Sequence, residues 1–158
     1  MRNTIIIFII SLIAVSCSKD KFTSVPQITY KSVNPNAVYR GAIIGSDAIP
    51  EITINVTDKE GDLGYIVGKD TSYVFIKTFI NRVASPRIDS FKMPDIESVV
   101  TKNFQADILI NTFDFLRGSS PPPPRGKADT LVYEIYIKDF AKNKSNTVTT
   151  DPIYYVTP

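Results

Sequence analysis

The stretch "EITINVTD", residues 51–58, decides the fold class. Ile52, Ile54 and Val56 alternate with Thr53, Asn55 and Thr57, so an extended chain places branched apolar side chains on one face and polar ones on the other. That is a strand with one wet face. The alternation recurs in "NFQADILINTF", 103–113, where Phe104, Ala106, Ile108 and Ile110 share a face, and in "TLVYEIYIKD", 130–139, with Leu131, Tyr133, Ile135 and Ile137. "TSYVFIKTFINRV", 71–83, is long, β-branched and aromatic, and reads as a central strand covered on both sides. "PQITYKSV", 26–33, reads as a first strand. "SNTVTTDPIYYV", 145–156, reads as a last one, interrupted at Pro152, which has no N–H to give a ladder. "SFKMPDIESVV", 90–100, reads as an edge strand and loop, or as one helical turn at 95–100. Helical periodicity is otherwise nearly absent after residue 20.

Four consecutive prolines in "RGSSPPPPRGK", 117–127, fix an extended path and remove four donors. Such a segment suits a stiff crossover between two sheets; a ligand for a proline-reading domain is the alternative. Six or seven short strands with turn residues between them predict an all-β fold, an immunoglobulin-like antiparallel β-sandwich of about seven strands over residues 27–158. "DTLVYEI", 129–135, resembles the Asp-Thr-Ala-Val-Tyr-Tyr-Cys run of antibody domains. The resemblance implies that Tyr133 is a tyrosine-corner residue. Ile135 stands where the second core cysteine would be, and the chain has no tryptophan. The likeness is therefore to the architecture rather than to antibody domains themselves.

The chain opens with Arg2 and then "TIIIFIISLIAV", 4–15, without a charge. About twenty residues are needed to span a bilayer, so this shorter run fits the apolar core of a secretory signal. Small residues follow, then Cys17, the only cysteine. "AVSC", 14–17, resembles the lipobox of bacterial lipoproteins, with Ala14 where Leu is usual. The resemblance implies a diacylglycerol thioether on the Cys17 sulfur, cleavage before Cys17, and an N-acyl chain on the freed amino group. A thiolate is the side-chain nucleophile suited to that alkylation, and several acyl chains at ~0.8 kcal/mol per buried methylene give stable anchoring. The expected organisation is a signal peptide at 1–16, a lipidated tether at 17–26 and the sandwich at 27–158.

"CSKDK", 17–21, resembles the Cys-Ser-Lys-Asp-Asp start of Bacteroidetes-type surface lipoproteins, with Lys21 replacing the second acid. This implies an outer-membrane address, with the periplasmic and exterior leaflets both open. Without Arg2 the chain carries 17 basic (18 − 1) and 16 acidic residues, a balance that does not point to nucleic acid. There is no histidine and no second cysteine, which removes histidine-dependent triads, the usual catalytic zinc sites and thiolate clusters. Paired carboxylates could serve a glycosidase, but no spacing singles out a pair.

"DKEGDLG", 58–64, is the most informative polar stretch. Asp58, Glu60 and Asp62 recur at alternate positions, and Gly61 and Gly64 permit a tight path. Closely spaced oxygens on a turning loop suit Ca²⁺, which takes six to eight oxygens near 2.4 Å. "DFAKNKSN", 139–146, resembles the Asp-x-Ala-Gly-Asn-x-Ser turn of bacterial immunoglobulin-like repeats, with Lys142 at the glycine position. In an immunoglobulin sandwich the B–C and F–G loops share one end. Asp58, Glu60, Asp62, Asp139 and Asn143 are therefore expected at one tip, as a Ca²⁺ site or a recognition surface. The alternative is two solvated turns whose acids cap backbone groups and are neutralised by Lys59, Lys142 and Lys144.

Segments 17–20, 58–64 and 139–146 together resemble a family of poorly characterised Bacteroidetes lipoproteins. The resemblance implies a surface immunoglobulin-like lipoprotein and no particular activity. The expected function is thus a membrane-anchored, non-enzymatic binding or assembly module that presents its loop tips outward. Its partners would be the membrane, through the lipid, and a surface protein or glycan. A glycan-binding accessory of a nutrient-uptake system is the alternative, resting on eight tyrosines and nine phenylalanines; a hydrolase is a third.

Overall fold

The computed structural model describes residues 21–43, 46–66, 70–94, 102–117 and 120–158. The leader, Cys17 and the helical turn considered at 95–100 lie outside the described residues. Among the described residues nine strands occur in chain order: β1 (Gln27–Asn34), β2 (Ala37–Tyr39), β3 (Glu51–Asp58), β4 (Tyr73–Ile80), β5 (Val83–Lys92), β6 (Phe104–Asn111), β7 (Lys127–Lys138), β8 (Val148–Thr149) and β9 (Ile153–Thr157). Among the described residues there is no helix.

One sheet runs β1-β3-β6 and the other β2-β9-β7-β4-β5, with β8 extending β9 along β7. Every pairing is antiparallel except β2 with β9. In immunoglobulin letters these sheets are A-B-E and A′-G-F-C-C′, and the protein is an immunoglobulin-like β-sandwich. The first strand divides between the sheets, with a cis Asn34–Pro35 bond at the switch.

Alternation fixes the core. Ile52, Ile54 and Val56 of β3 and Leu131, Tyr133, Ile135 and Ile137 of β7 are fully buried and pack with Ile76, Val74 and Ile153. At roughly 1.5–3 kcal/mol per large apolar side chain, these inward rows hold the two sheets together. The run at 71–83 differs from expectation. Asn81 and Arg82 both take positive φ, 51° and 70°, and turn the chain into a β4–β5 hairpin. β4 is also buried on one face only: Val74, Ile76 and Thr78 point in, while Tyr73, Phe75 and Lys77 are half-exposed. The count rises from about seven to nine because β2 is a separate short strand and the last strand breaks before Pro152.

The proline-rich connection carries the chain from β6 in one sheet to β7 in the other. Tyr133 donates its hydroxyl to the Leu116 carbonyl at 2.7 Å, and the Phe115 ring meets its ring edge-on at 5.3 Å. Burial pushes the Tyr133 phenol far above its usual range, which keeps it a neutral donor. Beside it, Arg117 pairs with Asp129 at 2.5 Å with both side chains largely buried.

Candidate functional site

Strand phase builds the site. Asp58 is the fourth inward residue of β3, after Ile52, Ile54 and Val56. Asp139 follows β7 in phase with Leu131, Tyr133, Ile135 and Ile137. The two strands lie in opposite sheets, so both carboxyls close the same end of the core, and both residues are 0% exposed. Asp62 reaches that place from the β3–β4 loop. Asp58 Oδ2 accepts from the N–H of Gly61 at 2.6 Å and of Asp62 at 3.3 Å, a turn that needs Gly61 at φ 70° and Gly64 at φ 106°. The Asp62 carbonyl accepts from the Phe140 N–H at 3.0 Å and so joins this loop to the one after β7. Leu63, fully buried, plugs the core beneath it.

One carboxylate oxygen each from Asp58, Asp62 and Asp139 lies within 4.8 Å of the others. Asn143 is near but turned as a donor: its N–H bonds Asp139 Oδ1 at 2.7 Å and its Nδ2 bonds Oδ2 at 2.8 Å. Glu60 is exposed and outside the group, because it sits at the tip of the turn that Gly61 closes. Of the five residues expected together, three converge, one holds the third of these in place, and one does not join.

The cluster is electrostatically strained. Burial pushes the Asp58 carboxyl up to about 6, and the Asp62 charge adds to it. Burial and the Asp139 charge raise Asp62 as well. Asp58 Oδ1 and Asp62 Oδ1 are buried and meet no hydrogen-bond donor among the described residues. Neutralisation by lysine, the alternative, is not observed at Lys142 or Lys144: Lys142 Nζ bonds the Thr71 carbonyl at 3.2 Å, and Lys144 Nζ stands 4.1 Å from the Tyr136 ring centre. The ion pairs among the described residues are Lys31–Asp107, Arg87–Asp89 and Arg117–Asp129, all elsewhere.

Two further residues of the same turn act structurally, and neither was singled out from the sequence. Ser145 Oγ accepts from the Ile137 N–H at 3.0 Å and donates to the Asn146 carbonyl at 2.7 Å. The Asn146 amide grips β1, accepting from Ile28 N–H and donating to Ile28 O, both at 2.8 Å. Their signal was the "SN" that ends the repeat-like turn. Lys142 has φ 69°, a conformation that favours glycine.

A second feature lies on the outer face of β4 and β7. The Tyr73 and Phe75 rings are 6.2 Å apart, and Phe75 stacks on Tyr136 at 4.8 Å. Lys138 caps Phe75 at 5.4 Å and Lys144 caps Tyr136. Further along, Phe79, Val132, Thr130 and Pro152 line an open cleft of about 440 Å³ between Arg82 and Glu134.

No protein family and no curated protein matches the sequence. Among solved structures, the chain is similar to the sporulation control protein Spo0M of Bacillus subtilis (10% identity, TM-score 0.38, 85% of this chain and 50% of that one). It is also similar to the major pilin subunit BcpA of Bacillus cereus, as its D312A variant (10% identity, TM-score 0.35, 84% and 40%). The chain thus spans half of the first protein and two-fifths of the second.

Proposed function

We propose that the chain is a lipid-anchored, non-enzymatic immunoglobulin-like module of the bacterial outer membrane, held by Cys17 at one end and offering the other end to a surface protein. The observation that carries this reading is where the tether enters. The Thr23 carbonyl accepts from the Lys59 N–H at 3.1 Å, and Gln27 pairs with Thr57. The tether therefore leaves the fold beside the β3–β4 loop. Six residues from Cys17 to Thr23 reach at most ~20 Å. The twelve residues of β7 span ~40 Å.

The β3–β4 and β7–β8 loops, expected to point outward, then lie on the membrane side. Five exposed lysines, Lys21, Lys59, Lys102, Lys142 and Lys144, surround that end and suit anionic headgroups despite the balanced total charge. The β4–β5 turn and the cleft at Phe79 and Val132 lie toward the free end.

Two measurements test this. Radiolabelled palmitate should enter the wild-type chain and not Cys17→Ser. Because Cys17 is the only native cysteine, a fluorophore on Lys142→Cys or Arg82→Cys reports one position each. Brominated lipid should quench the first and spare the second; equal quenching, or palmitate retained in Cys17→Ser, overturns the reading.

The aromatic row Tyr73–Phe75–Tyr136 favours a second reading, a glycan platform. Lys138 and Lys144 cover two of its faces, so sugar stacking would require them to move. Saturable quenching of tyrosine fluorescence by an oligosaccharide, lost in Tyr136→Ala, would support it over the first.

A further inference from the structure

We infer that Asp58, Asp62 and Asp139 form a divalent-cation site of the calcium class that ties the two sheets together at the tether end of the sandwich. The inference is independent of the lipid anchor, since every residue it uses lies within the folded domain.

Placement comes first. Asp58 and Asp139 occupy core positions at the ends of inward rows in opposite sheets, where an apolar side chain would otherwise continue the packing. Burying a carboxylate without a partner is costly, and here two fully buried acids and a third meet with no lysine or arginine paired to them among the described residues. Either a proton or a cation has to balance them.

The second observation is the free acceptors. Asp58 is wholly buried. Its Oδ2 takes two backbone donors, while its Oδ1 takes none. Asp62 Oδ1 is in the same state. Buried polar atoms are nearly always satisfied, so two carboxylate oxygens without a donor in one cluster call for an electrophile, a proton or a cation, between them.

Geometry and ligand chemistry then select the ion. Two oxygens on opposite sides of a Ca²⁺, each at about 2.4 Å, are about 4.8 Å apart. The three carboxylate oxygens lie within 4.8 Å of one another, a separation a single ion can span. An all-oxygen set excludes the zinc and copper preference for nitrogen and sulfur. Irregular ligands drawn from two loops suit the adaptable shell of Ca²⁺ better than the strict octahedron of Mg²⁺. Asn143 is a positioning residue here: its two donors fix both oxygens of Asp139, which keep further lone pairs for the ion. A proton shared between Asp58 and Asp62 is the competing account.

The test is calorimetric titration of the full chain in detergent with CaCl₂ at pH 7, after EDTA treatment. The expected result is a one-to-one isotherm, weakened roughly 30-fold or more in Asp62→Asn and in Asp139→Asn. Asp62→Asn should also melt higher than wild type in EDTA, since it removes a like charge while keeping the fold; this separates lost binding from lost structure. Absence of binding by Ca²⁺, Mg²⁺ and Mn²⁺ at millimolar concentration would assign the cluster to a shared proton and overturn the inference. An isotherm unchanged in both variants would overturn it too, by placing the ion elsewhere.

Discussion

Asp58 and Asp139 end the inward rows of β3 and β7, one in each sheet, and their carboxylate oxygens meet within 4.8 Å at one end of the core. At this end the core closes with carboxylates, and its behaviour should follow from that.

The first consequence concerns pH. Asp58 titrates at about 6 in the folded chain, above its ordinary value, because burial disfavours its charge. A raised acid binds its proton more tightly when folded. Its contribution is therefore fully present below about pH 4 and is lost as pH rises through about 6. In EDTA the melting temperature should fall between pH 4.5 and 6.5, by roughly a few degrees. Asp62→Asn should flatten that slope. With Ca²⁺ present, the gap above the EDTA curve should widen over the same interval, since the ion competes with the proton.

Lys142 predicts a gain. Its φ of 69° costs a residue with a Cβ, and its Nζ makes one exposed bond to Thr71 O. Lys142→Gly should stabilise the fold by about 0.5–1 kcal/mol, read as a higher denaturation midpoint with an unchanged slope. A lower midpoint would mean that the Thr71 bond outweighs backbone strain.

Asn146 predicts a loss at a distance. Its amide replaces a strand partner for Ile28 on β1, 118 residues away in sequence. Asn146→Ala leaves that N–H and C=O without their partner and should cost about 1–3 kcal/mol. Amide exchange should quicken first in β1, freeing the segment that precedes it. Exchange unchanged in β1 would show that β3 alone holds it.

Tyr133→Phe deletes the bond to Leu116 O while keeping the ring against Phe115. A cost of about 1–2 kcal/mol is expected by denaturant unfolding, with the fold kept. A neutral effect would mean that water replaces the hydroxyl.

Alternation made most of this fold legible before any coordinates. The inward rows of β3, β6 and β7 follow the period of two, and the pairing of the "DKEGDLG" and "DFAKNKSN" loops at one end follows from strand order. The hairpin at Asn81–Arg82 did not show, because its positive-φ turn uses arginine where glycine would have signalled it. β2 did not show, because three residues carry no period. Within the site, Asp58 and Asp139 were legible by phase with the apolar rows before them. Asp62 depended on a loop path, and the exposure of Glu60 on which side of Gly61 the turn closes. The contact from Thr23 to Lys59, which brings the chain before β1 beside the β3–β4 loop, leaves no mark in the sequence.

The most direct test of the cation account is a pair of thermal melts of the full chain at pH 7, one in EDTA and one in millimolar Ca²⁺. An ion at a hundred times its Kd that binds only the folded state adds about 2.7 kcal/mol, a rise of about 8 °C for a domain of this size. A rise of that order in the wild type, cut to about 3 °C or less in Asp62→Asn, is the result the account predicts. Superimposed melts in the wild type would contradict it and leave Asp58, Asp62 and Asp139 as a proton-sharing turn.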